Sequence, residues 1–141
     1  MIIYNYETDF KLPFEEALYS TWIGEVVCSE GKTEGEISYV FCDDEFLLNI
    51  NQTYLDHDTF TDIITFDYCV GDELNSDIFI SIPRVEENAT LFNTDFHNEL
   101  LRVMVHGVLH LCGYKDKSEQ EEVRMRQLEN DKIQLFHVKQ S

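Results

Sequence analysis

Positive charge is scarce in this sequence. Ten lysines and arginines stand against 28 aspartates and glutamates, for a formal net charge of −18. Such a surface keeps a chain in solution and repels polyanions unless its few cations are gathered in one place. Taken alone, this composition argues against an RNA or DNA partner. Long apolar runs are missing too: no stretch could span a bilayer, and no N-terminal segment has the basic-then-apolar layout of a signal peptide. A membrane role is therefore not expected. The four cysteines, Cys28, Cys42, Cys69 and Cys112, show no CxxC spacing. Three of them (Cys28, Cys42 and Cys112) sit in apolar contexts, so they read as buried thiols of a reducing cytoplasm.

What is present is enough to build a core. Hydrophobic residues make up 43% of 141 residues and aromatics 13%, the profile of a globular chain. Residues 1–141 read as a single domain with no repeat or linker. Ile2 to Tyr6 is a plausible first strand, and Phe14 to Val27 an amphipathic helix after Pro13, closed near Gly31. Glu30 to Gly35 reads as a polar turn before a strand over Glu36 to Cys42. Asp43 and Asp44 cap a helix to about Tyr54. Ile63–Tyr68 and Asp77–Ile82 are the clearest strands, expected as antiparallel partners. Pro83 opens a helix to about Phe92, Thr94 or Asp95 caps the next, and Ser118 with Glu121 starts the last, which carries Val123, Met125, Leu128 and Leu135. The fold class is α+β, with a mixed sheet of about four strands and helices packed on it.

One helix stands out. His106-Gly-Val-Leu-His110-Leu-Cys-Gly113-Tyr-Lys-Asp116 puts two histidines four residues apart, one above the other on a helix face. Gly113 can end the helix in a left-handed conformation, and the returning chain brings Asp116 towards the same point. Two imidazoles and a carboxylate with a fourth position open is the arrangement of catalytic zinc, whereas structural zinc sites are closed by four protein ligands. The rest of the helix is nearly apolar, so two histidines there need a reason.

The spacing His-x3-His-x2-Gly-x2-Asp parallels the long metal motif of metzincin peptidases. Those enzymes carry their general base after the first histidine, where this chain has Gly107, so the peptidase mechanism lacks its base. Glu99, seven residues before His106, shares the histidine face two turns away. It is the candidate for a catalytic carboxylate, set against a solvated residue near the helix N-terminus.

With these residues in hand the sequence resembles the YbeY family, the bacterial endoribonucleases of ribosomal RNA maturation. The likeness rests on His106-Gly107-x-Leu109-His110-Leu111-x-Gly113-Tyr114, on the block from Asn51 through Tyr54 and Asp58 to Thr61-Asp62-Ile63-Ile64-Thr65-Phe66, and on Asp77-Ile78-Phe79-Ile80-Ser81. The resemblance implies one divalent metal, zinc by expectation, on His106, His110 and Asp116. The family commonly has histidine at the third place and an aspartate where Lys115 stands. It often has an arginine where Leu55 stands, and His57, Arg84 and Lys115 are candidate replacements for that phosphate contact. The implied function is single-strand-specific cleavage of RNA in ribosomal RNA processing, including small-subunit 3′ end maturation and ribosome quality control. The partners it implies are ribosomal RNA and the ribosome or its proteins, in the cytoplasm. Two other readings stand beside it: a metal hydrolase of another substrate, and a ribosome-associated assembly factor with a structural metal. A basic ribosomal protein would suit a charge of −18 better than naked RNA does.

Overall fold

The fold was analysed in a computed structural model that describes residues 1–55 and 61–140, with side chains described through Val138. Nine elements follow one another: β1 (Ile2–Tyr6), α1 (Glu16–Ser29), β2 (Thr33–Cys42), α2 (Asp44–Leu55), β3 (Ile63–Asp67), β4 (Glu73–Ser81), α3 (Ile82–Leu91), α4 (Phe96–Leu111) and α5 (Glu119–Gln140). The four strands form one mixed sheet in the order β1-β2-β4-β3. β2 runs parallel to both β1 and β4, and β3 lies antiparallel to β4 on the outer edge. This is the α+β architecture that the sequence pattern implies.

Alternation along the strands decides which face each helix covers. Ile37, Tyr39 and Phe41 of β2 and Ile78 and Ile80 of β4 point into the main core, shared with α1, α4 and α5. The opposite face buries Ile64 with Cys42 and Leu47, and Phe79 packs beside them under α2. Trp22 of α1 is fully buried and donates its indole N–H to the Lys132 carbonyl on α5 at 2.7 Å. Tyr39 donates its hydroxyl to the Met104 carbonyl at 2.8 Å, tying β2 to α4.

Helix α4 lies unusually close to the sheet, and Gly107 is the reason. A Cβ at that position would stand 3.2 Å from each of Ile63 Cδ1, Ile78 Cδ1 and Thr65 Oγ1. The helix starts where Asp95 accepts the Asn98 N–H at 2.7 Å. It stops at Gly113, whose φ of +104° favours glycine over any residue with a Cβ. The turn that follows is fastened from outside. Tyr114 donates its hydroxyl to Glu30 Oε1 at 2.7 Å, and Lys132 Nζ reaches the same carboxylate at 2.8 Å. Ser118 and Glu121 then form the expected capping box, with the Glu121 N–H on Ser118 Oγ and the Ser118 N–H on Glu121 Oε1.

Several boundaries depart from the sequence reading. The expected turn over Glu30 to Gly35 ends early, because Thr33 and Glu34 already pair with Glu73 and Leu74. That pairing also extends β4 back to Glu73 from the expected start at Asp77: Glu73 and Asn75 lie on the more open side while Leu74 and Ser76 are buried. Helix α1 begins at Glu16, with Phe14 left half-exposed before it. Cys28, expected buried, is exposed on the last turn of α1, and all four cysteines are free thiols. On α5, Val123 faces solvent, and Ile133 and Phe136 join Met125 and Leu128 in the core.

Two outcomes follow from this packing. Replacing Gly107 with Glu, the residue the peptidase motif would require, drives a carboxylate between two isoleucines; denaturant unfolding is expected to register a loss of about 3 kcal/mol or more, with no gain of peptidase activity. The second concerns Glu30. Burial alone would raise its carboxyl pKa, but the bonds from Lys132 and Tyr114 outweigh burial and hold it below the ordinary range. A carboxylate depressed in the folded state contributes stability above its unfolded pKa and loses it as pH falls through the folded value. Unfolding measured across the acid limb is therefore expected to show Glu30→Gln less stable at neutral pH by about 1–3 kcal/mol, with the gap closing as the pH falls.

Candidate metal centre

His106 and His110 emerge from the same flank of α4, one turn apart, between the edge of β3 and the middle of α5. Their rings lie 4.4 Å apart, centre to centre, and nearly perpendicular. The outer edge of each ring is fixed by a group that only accepts hydrogen bonds. His106 Nδ1 lies 2.7 Å from Glu129 Oε2, and His110 Nδ1 lies 2.9 Å from the Tyr114 carbonyl. Both Nδ1 atoms therefore carry the proton, and both Nε2 atoms turn lone pairs inward.

Those two nitrogens face each other at 2.8 Å. Asp116 Oδ2 completes a triangle at 3.2 Å from His106 Nε2 and 3.5 Å from His110 Nε2. Three electron-pair donors drawn together in this way repel one another unless a cation joins them. Two imidazoles and a carboxylate, half-buried and spanning no more than 4.8 Å, can take a divalent metal ion in that position. Each imidazole is oriented from behind by an acceptor, as metal-ligating histidines are.

The surroundings strengthen this preference for positive charge. Glu129 is 5% exposed and also accepts from Arg102 Nη1 at 3.0 Å. Burial would push the His106 imidazole towards the neutral form, but Glu129, Asp116 and Asp62 outweigh it and raise its pKa above the ordinary value. Asp62 is itself raised, by burial first, with His106 opposing; Asn88 Nδ2 donates to its Oδ2 at 3.2 Å. Three open clefts, of about 580, 290 and 390 Å³, meet at His106 and Asp116. One runs along α5, one reaches towards α3, and one follows β3.

The remaining candidates are scattered. Glu99 is 4% exposed and so is not a solvated residue near the helix N-terminus: it lies under the cleft towards α3, where its Oε1 has no hydrogen-bond partner and Arg102 Nε is 3.8 Å away. Burial raises its carboxyl pKa, with Arg102 opposing. Arg84 is committed to Asp44 at 3.1 Å and lines none of the three clefts. Lys115 points to a separate hollow with Tyr114 and Arg124. Leu55 is the exposed last residue of α2, and His57 lies outside the described residues. Glu129 and Asp62 are the residues that sequence reasoning passed over. Glu129 did leave a signal: it is a lone carboxylate at the spacing of the buried stripe through Met125, Ile133 and Phe136.

Comparison with known proteins adds an independent line. The family model described as Endoribonuclease YbeY matches residues 3–137. The chain is 59% identical to Endoribonuclease YbeY of Flavobacterium psychrophilum over 141 residues, covering all of both chains. It is 56% identical to the Flavobacterium johnsoniae protein of that name over 140 residues, covering 99% of this chain and all of the other. Among solved structures, the solution structure of TM1509 from Thermotoga maritima aligns with a TM-score of 0.66 at 26% identity, over 96% of this chain and 89% of that one.

The role of Glu129 can be read directly. Glu129→Gln keeps the shape but replaces the charge that orients and polarises His106, so zinc affinity measured by chelator competition is expected to fall about 10- to 100-fold.

Proposed function

The chain belongs to the YbeY family of endoribonucleases, and on that footing we propose a single-strand-specific, metal-dependent endoribonuclease of ribosomal RNA processing. It is a hydrolytic nuclease acting on RNA. In the proposed role it matures the 3′ end of small-subunit ribosomal RNA and takes part in ribosome quality control. Its partners are ribosomal RNA and the ribosome or its proteins, in the cytoplasm.

The observation that carries this reading is the convergence of His106 Nε2, His110 Nε2 and Asp116 Oδ2 where three clefts meet. These residues hold one divalent ion, with zinc the best match to two imidazoles and one carboxylate. When bound, such an ion polarises a phosphoryl oxygen and eases the ionisation of water. The protein supplies the rest. Glu129 and the Tyr114 carbonyl fix the two rings in the tautomer that leaves Nε2 free. Glu99 is the candidate proton-transfer group, because it lies by the same cleft as His106 and burial favours its protonated form. Gly107, closed against the sheet, has no part in the chemistry. A single strand suits the site because its backbone can follow a cleft beside a helix, whereas a duplex must be met as a rigid shape.

The reading is tested with purified protein and one RNA sequence offered single-stranded and as a duplex. Cleavage is expected at least about ten-fold faster in the single strand, to stop with chelator, to return with zinc, and to disappear in His110→Ala without loss of fold. Full activity in His110→Ala would sink the metal mechanism. Loss of fold together with loss of metal would instead favour an assembly factor with a structural ion.

A further inference from the structure

We propose that Arg126 and Phe92 form a nucleotide subsite beside His106, where Arg126 binds a backbone phosphate and Phe92 stacks on a base of the same single strand. The inference rests on the nuclease reading above and adds the residues that meet the RNA.

An RNA strand approaching this chain meets a net charge of −18, and the clefts themselves are lined by Asp62, Glu122 and Glu129 among others. Among the described residues the clefts contain two arginines, Arg102 and Arg126. Arg102 is already engaged, 3.0 Å from Glu129, 2.9 Å from Asn130 and 3.8 Å from Glu99. Its side chain is 14% exposed, so it serves the interior. Arg126 is different. It is exposed, lines both the α5 cleft and the α3 cleft, and forms no ion pair among the described residues. Its guanidinium carbon stands 6.0 Å from the centre of the Phe92 ring. A guanidinium against an aromatic face keeps its N–H edge free for the paired oxygens of a phosphate.

Phe92 caps the end of α3 with 57% of its surface exposed, beside an exposed Leu91. It lines the 290 Å³ cleft that also holds His106 and Asp116. A large exposed ring in a polar cleft gains by covering its face, and every nucleobase offers a flat partner without regard to sequence. A phosphate on Arg126 and a base on Phe92 are adjacent parts of one chain. Together they hold a nucleotide next to the site of cleavage.

The experiment measures kcat and KM for single-stranded RNA over a salt series with the zinc-loaded protein. Arg126→Ala is expected to raise KM and to lower the slope of log affinity against log salt by about 0.7, the loss of one phosphate contact, while Arg126→Lys keeps the slope. Phe92→Ala is expected to raise KM by about ten-fold with the slope unchanged, and Phe92→Trp to restore it. In each variant kcat stays within about two-fold, the mark of lost binding without lost chemistry, and metal content is unchanged. An unchanged slope in Arg126→Ala, an unchanged KM in Phe92→Ala, or an effect confined to kcat or metal content would overturn the subsite while leaving the nuclease standing. A wild-type protein that cleaves no single-stranded RNA would bring down the nuclease reading and the subsite with it.

Discussion

The close approach of α4 to the sheet is the constraint on which the rest of this molecule depends. Gly107 has no side chain to hold the helix away from Ile63, Thr65 and Ile78, so the helix settles directly on β3 and β4. With one face spent on the sheet and others on α1, α3 and α5, almost every apolar residue of α4 is buried. One flank is left over, and His106 and His110 occupy it. The same glycine that excludes a base at this position fixes the depth at which the two imidazoles sit. Stability and chemistry are thus set by a single contact, through adjoining faces of one helix.

Charge inside the fold is arranged around that flank. A buried carboxylate such as Glu129 is costly unless it is paired, and here it is shared between Arg102 and the Nδ1 edge of His106. The second buried pair, Glu30 with Lys132, fastens the turn that carries Asp116 back to the histidines. Each pair joins α5 to an earlier part of the chain. The last helix therefore does more than close the core: it orients His106 directly and steadies the segment that supplies Asp116.

The strongly acidic composition is consistent with a nuclease once the field is considered locally. Composition counts charges wherever they lie, whereas a substrate meets only those that line its path. The expectation that RNA is a disfavoured partner fails, since the chain belongs to an endoribonuclease family. A divalent ion held by one carboxylate and two neutral imidazoles leaves a net positive centre, and Arg126 adds a second cation beside it. The clefts keep carboxylates of their own, Asp62, Glu122 and Glu129 among them, so attraction for a phosphate is confined to these two points.

The sequence by itself determined the α+β pattern, the helix of the two histidines, its stop at Gly113 and the return of Asp116, because each is written in local spacing and turn chemistry. The antiparallel pairing of β3 with β4 and the capping box at Ser118 were legible for the same reason. Other features were decided only by tertiary structure. Glu30 to Gly35 looked like a turn because its residues are polar, yet part of it became strand once Glu73 and Leu74 offered backbone partners. Glu99 looked solvated because it stands near a helix N-terminus, yet the fold covered it. Glu129 lies 23 residues from His106 along the chain and 2.7 Å from it in space, a closeness that no local spacing encodes. Period and turn residues act over a few positions, whereas burial and long-range pairing exist only after the helices have been laid against the sheet.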